Sequence, residues 1–256
     1  MRETTLESFS FQKYKNMTDK KCTFLGCVIL VLAAGILSYN AFYGLCNSDE
    51  SFYLTIPYRI LKGDALFINE WHVSQLSSVL QFPIVWLFVK ATGTCDGIIL
   101  FFRFLFIIYQ LGVSLFAFAK MRRYGFVSAL IGALLFELYT PEYVLSLSYS
   151  SSLSLLPVTL ISLLLVFEEN PSPIKLITIG ILLACAVLAE PGLAVLFFVY
   201  LGVVLFSNVS KRLQNSLFSF KSFVFIATGV FIVFVDLTSN INGGDTSSRT
   251  VATNIF

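Results

Sequence analysis

The residues best suited to chemistry in this chain of 256 residues open a polar stretch, Asn47-Ser48-Asp49-Glu50-Ser51-Phe52-Tyr53. Two adjacent carboxylates are more than a connecting loop needs. Asp49 and Tyr53 are four apart and would share one face of a helix. A carboxylate held in place there could take a proton from a hydroxyl. The same acids could equally serve the helix itself: Ser48 suits an N-cap, and carboxylates in a first turn complement the helix dipole. Further on come Arg59, Lys62, Glu70, Trp71, His72, Lys90 and Arg103. Arg103 interrupts an apolar run, where a charge is costly and usually faces a cavity or a partner. Its alternative is a long stem snorkelling to the headgroups. His72 is the only histidine, so this chain alone builds no multi-histidine metal site. A lone His in an aromatic segment also serves as a structural residue.

The elements that position these groups are expected to be membrane helices. Apolar residues make up 57% of the chain and charged ones 12%, with a mean hydropathy of +0.83. A soluble domain carries about 25% charged residues, so the composition indicates an all-α integral membrane protein. Residues 1–21 are polar and contain Arg2, Lys13, Lys15, Lys20 and Lys21, with no small-residue cleavage site, so the first span reads as a retained signal anchor. That span covers Cys22 to Tyr43, and a first outer loop follows over residues 44–96. Within the loop, Phe52, Ile56 and Ile60 mark Ser48 to Lys62 as an amphipathic juxtamembrane helix, kinked at Pro57 and capped by Gly63. Leu76 to Val89 is short and contains Pro83, which suits an interfacial run. Gly97 to Ala119 is a full span. Five apolar runs come next: Phe126 to Tyr139, Leu153 to Phe167, Ile174 to Leu188, Leu193 to Phe206 and Phe223 to Leu237. Gly125, Ala129, Gly132 and Ala133 have the spacing of a helix-contact face. Residues 238–256 form a polar tail without order of its own, so the membrane module is 22–237.

Orientation follows from Lys and Arg. If Leu76 to Val89 does not cross, Arg2, Lys13, Lys15, Lys20, Lys21, Lys120, Arg122, Arg123, Lys175, Lys211, Arg212 and Lys221 fall inside, and only Arg59, Lys62, Lys90 and Arg249 fall outside. Letting that run cross would invert every later loop and level the distribution. The positive-inside rule therefore gives seven spans, with the N-terminus in and the C-terminus out. Asp49, Glu50, Asp64, Glu70, Asp96 and Glu142 then share the outer face, while Glu137, Glu190 and Asp236 sit near outer ends of spans. The cysteines (Cys22, Cys27, Cys46, Cys95, Cys185) lack metal-ligand spacing and read as small buried hydrophobes, with Cys46 and Cys95 the one pair on a common side. Most of the 27 Phe and 11 Tyr suit lipid-facing or bundle-packing positions. Phosphate loops, dinucleotide fingerprints, nucleophile elbows and basic nucleic-acid patches are absent, so no nucleic-acid partner is expected.

The order of these features resembles the GT-C glycosyltransferases, the polyprenyl-phosphate-sugar-dependent enzymes that include protein O-mannosyltransferases and lipid A aminoarabinose transferases. The matching residues are Asp49-Glu50-Ser51-Phe52-Tyr53, Arg59, Gly63-Asp64, Glu70-Trp71-His72, Pro83, Gly97, Arg103 and Lys120-Met121-Arg122-Arg123, with a weaker match at Ala189-Glu190-Pro191-Gly192. The likeness covers residues 22 to 206 and is sharpest over 47 to 123. Two features differ. Many members place an Asp in the outer loop between the third and fourth spans, where this chain has Ser148-Tyr149-Ser150-Ser151-Ser152 and only Glu142 upstream. Members are also usually longer, which reads as a truncated product or a reduced member.

The resemblance implies an inverting transfer of a sugar from a polyprenyl-phosphate donor to an acceptor hydroxyl at the outer membrane-water interface of the plasma membrane. It implies Asp49 as the base, with Glu50, Tyr53, Arg59, Glu70, His72 and Arg103 contacting the substrates. The leaving phosphate needs cationic stabilisation, for which Arg59, Lys62, Lys90 and Arg103 are the candidates. No cofactor is certain, and a divalent metal at Asp49 and Glu50 stays open as an alternative, although one acidic pair makes a poor cage. The implied partners are the lipid bilayer, the lipid-linked sugar and an acceptor that is a glycan, a lipid or a protein. The alternative, from another class, is a non-catalytic or degenerate polytopic membrane protein, a carrier or partner subunit with the same fold. A carrier would be expected to hold ionisable groups at mid-membrane depth.

Overall fold

The computed structural model describes residues 3–43, 49–65, 68–69, 72, 75–141, 144–167, 172–210 and 220–243. Among these residues all regular structure is helical, in keeping with the all-α expectation. The order is α1 (Glu3–Ala41), α2 (Asp49–Leu61), α3 (Gln75–Thr92), α4 (Ile98–Met121), α5 (Phe126–Glu137), α6 (Tyr149–Phe167), α7 (Pro173–Ala189), α8 (Ala194–Ser210) and α9 (Phe220–Gly243), with 3-10 turns at Arg122–Tyr124 and Pro191–Leu193. Two stretches, Lys21–Ala41 and Ile98–Tyr124, are long and apolar enough to cross a membrane. Other apolar helices are shorter over the described residues. The 12 residues of α5 rise only about 18 Å, against a hydrocarbon core of about 30 Å.

Several boundaries move from their expected places for local reasons. α1 begins at Glu3, so the polar segment before the first span continues it; that segment has neither Gly nor Pro to stop a helix. α3 runs over 18 residues rather than the shorter run expected, and buries Gln75, Ser77, Ser78 and Gln81. α9 continues to Gly243, so residues 238–243 are helical rather than part of an orderless tail. α2 passes through Pro57 without ending there.

The chain divides into two compact units. The first comprises Met1–Tyr43 and Ile107–Tyr139. In it α1 packs on α5 around a core of Leu30, Phe118, Ala129 and Ala133. Ala129 and Ala133 are thus the buried part of the small-residue face, whereas Gly132 borders open space. Phe24, Leu25, Leu32 and Ile36 of α1 are exposed, an apolar surface that water does not favour.

The second unit comprises Gly44–Phe106 and Thr140–Phe256. One of its cores joins α2, α3 and the start of α4 through Leu54, Val85, Val89 and Phe102. Another joins α6, α7 and α9 through Leu160, Leu176, Ile179, Leu183 and Ile226. Here Gly180 of α7 meets Gly229 of α9. A Cβ on Gly180 would collide with the Ile226 carbonyl, and one on Gly229 with the Ile177 carbonyl. Only glycine permits this approach of two backbones. Gly180→Leu is therefore expected to cost about 1–3 kcal/mol by overpacking. The check is thermal unfolding of the detergent-solubilised chain, where Gly132→Leu should leave the midpoint almost unchanged.

Candidate functional site

The site is assembled in the second unit, at the first turn of α2. Asp49 holds the first helical position, and its side chain lies outside the described residues. Glu50 follows and is 3% exposed. Its Oε2 accepts from Arg103 Nε at 2.9 Å and, closer still, from a terminal guanidinium nitrogen of Arg103. Its Oε1 accepts from the Leu145 backbone N–H at 3.2 Å. Arg103 has turned into the protein, with its side chain 12% exposed, and is not a snorkelling residue here. One carboxylate thus ties together the start of α2, the sixth residue of α4 and the segment that leads into α6. Both charges are removed from water, so each depends on the other for compensation.

The segment from Val144 into the serine-rich start of α6 is a buried scaffold. Val144, Leu145, Ser146, Ser148 and Ser151 are all buried. The Ser148 N–H donates to Ser151 Oγ at 2.7 Å, and the Ser151 N–H donates to Ser148 Oγ at 3.3 Å. This reciprocal pair is a capping box with Ser in the place usually held by Glu or Gln, and it starts α6 at Tyr149, earlier than expected. The Ser151 hydroxyl also donates to the Ser146 carbonyl at 2.8 Å. From α3, Gln81 Nε2 donates to the Leu147 carbonyl at 3.2 Å. The segment that presents Leu145 to Glu50 is therefore held from both sides. Ser148→Ala removes the N-cap and is expected to cost about 0.5–2 kcal/mol, read as a lower unfolding midpoint.

Other candidates sit at the surface of the same unit. At the end of α2, Gly63 adopts φ +102°, while the Asp64 N–H reaches the Arg59 carbonyl and the Gly63 N–H reaches the Ile60 carbonyl, each at 3.0 Å. That is a Schellman turn, as the expected Gly63 cap implies. Arg59 Nε donates to Asp64 Oδ2 at 2.6 Å across the turn, with both side chains more than one-third exposed. Tyr53 is partly buried, while Phe52 and His72 are exposed. The His72 ring packs edge-on against Phe52, with 4.9 Å between centroids. Lys62 lies over the Tyr58 ring and Lys90 over the Trp86 ring. Ser48, Glu70, Trp71, Glu142 and Cys46 lie outside the described residues, and Cys95 carries a free thiol. Among the described residues no group of three His, Cys, Asp or Glu side chains is placed to hold a metal ion.

A separate buried polar group lies within the first unit, and the sequence reading did not anticipate it. Gln110, Ser114 and Glu137 are each at most 1% exposed. Gln110 Nε2 donates to the Phe136 and Tyr139 carbonyls at 2.6 and 2.8 Å, which brings its side chain to the end of α5. Glu137, the last residue of α5 as its place near a span end implied, therefore neighbours a residue about 18 Å along α4. The signal in the sequence was the spacing of Gln110 and Ser114, two polar residues four apart in an apolar span. No protein-family model, curated protein or solved structure matches the chain.

Proposed function

We propose that the chain is an inverting glycosyltransferase that moves a sugar from a polyprenyl-phosphate donor to an acceptor hydroxyl at the outer membrane-water interface. The observation that carries this reading is the double anchorage of Glu50 by Arg103 and the Leu145 amide. A helix N-cap needs only its own backbone, whereas a base must be held still relative to two substrates. Locking the residue beside Asp49 to α4 and to the segment before α6 fixes the first turn of α2 in the manner a base requires. Asp49 takes the proton of the attacking hydroxyl. Glu50 and Arg103 position that turn, and the exposed Phe52 and His72, with Tyr53, offer an edge for the sugar.

The proposed topology has seven crossings, α1 and α4 to α9, with the N-terminus inside the plasma membrane and residues 44–96 outside. The polar buried face of α3, with Gln75, Ser77, Ser78 and Gln81, supports its place as the non-crossing helix. A second reading, a carrier or non-catalytic partner subunit, is favoured by one observation: the buried Glu137 beside mid-α4. To separate the two, the whole chain is reconstituted in vesicles with polyprenyl-phosphate-linked hexoses and pentoses and with glycan, lipid and protein acceptors. Release of free polyprenyl phosphate with an inverted product linkage is expected. Failure of every donor and acceptor pair would transfer the weight to the second reading.

A further inference from the structure

The buried group in the first unit has the makings of an ion site. Four oxygen atoms, Gln110 Oε1, Ser114 Oγ and both carboxyl oxygens of Glu137, are buried and have no hydrogen-bond partner among the described residues. The Ser114 hydroxyl lies close enough to the Glu137 carboxyl to act on it, which places the two side chains at one spot. Gln110 is held in place from its other end, because its Nε2 is spent on the Phe136 and Tyr139 carbonyls. That leaves its carbonyl oxygen committed to nothing. Gln110 and Ser114 are four apart on α4, so they lie on one face, and the Gln110 bonds bring the end of α5 to that face. An orphaned buried carboxylate is far too costly to leave uncompensated in an apolar helix pair.

We propose that Gln110, Ser114 and Glu137 bind one small monovalent metal cation, sodium being the probe of choice. The chemistry of the set selects it. All four free atoms are hard oxygens, which rules against a soft metal that favours thiolate or imidazole. The set carries a single carboxylate, which balances one positive charge and would leave a divalent ion undercompensated. The site is distinct from the one at Asp49 and Glu50, and neither depends on the other.

The test is thermal unfolding of the full chain in detergent micelles, with NaCl, KCl or LiCl replaced by N-methylglucamine chloride at constant ionic strength. Sodium is expected to raise the midpoint by at least about 2 °C, saturably, as any ligand of the folded state does. Glu137→Gln should abolish the response. Ser114→Ala keeps the charge and should shift the sodium titration to higher concentration, so the idea remains testable if Glu137→Gln fails to fold. Binding of radioactive sodium at one ion per chain should follow the same order of variants. A midpoint indifferent to the cation would overturn the site and leave a proton as what neutralises Glu137. A sodium response unchanged in Ser114→Ala and Glu137→Gln would place the ion elsewhere.

Discussion

Glu50→Gln should lower the unfolding midpoint by an amount on the order of ten degrees. The substitution keeps shape and leaves an acceptor for the Leu145 amide, which now bonds to Glu50 Oε1 at 3.2 Å. What it removes is the charge facing a guanidinium that is 12% exposed. An uncompensated buried charge costs about 3–5 kcal/mol, and in a chain of this size each kcal/mol moves the midpoint by roughly 2–4 °C. Arg103→Met should do comparable damage from the other side. The double variant Glu50→Gln, Arg103→Met has no stranded charge and is expected to recover much of the loss. Its stability should exceed the sum of the single effects by about 2 kcal/mol or more, the coupling typical of a close buried pair. Strict additivity would mean that the two residues act independently.

Much of the frame was legible. α2 was expected over Ser48 to Lys62 and is found at Asp49–Leu61, because its apolar four-residue spacing and its Gly63 stop are both local signals. α4 and α7 likewise begin and end within two residues of their apolar runs. The site was legible only in its parts. Arg103 stood out by its cost in an apolar span, yet its partner is 53 residues away, and no local pattern encodes that pairing. The serine-rich segment looked like a missing acid, but the Ser148 and Ser151 side chains turn inward to cap α6, and the Leu147 carbonyl braces the loop against Gln81 of α3. Glu137 was legible as a helix-end acid and does end α5, but its burial was not, because periodicity says nothing of which neighbour a helix meets. Its place became clear only from the two carbonyls that hold Gln110.

The second large effect concerns Asp49. Asp49 stands at the first helical position, where its charge is worth only about 0.3–1 kcal/mol to the helix dipole, so Asp49→Asn should disturb α2 little while removing the base. A positioned general base contributes about 100- to 10,000-fold to a rate. A fall of at least about 100-fold in transfer is therefore expected, with a nearly unchanged unfolding midpoint. Glu50→Gln should also lose activity, but together with stability, since its role is to hold the turn.

The most direct measurement compares the parent chain with Asp49→Asn in reconstituted vesicles. Both are given the same lipid-linked sugar and acceptor at matched amounts of folded protein, and initial rates of product formation are recorded. Loss of transfer in the variant, with folding intact, is the expected result and identifies Asp49 as the base. Equal rates in the two chains would contradict it, removing Asp49 from the chemistry and leaving the acid pair as a helix cap.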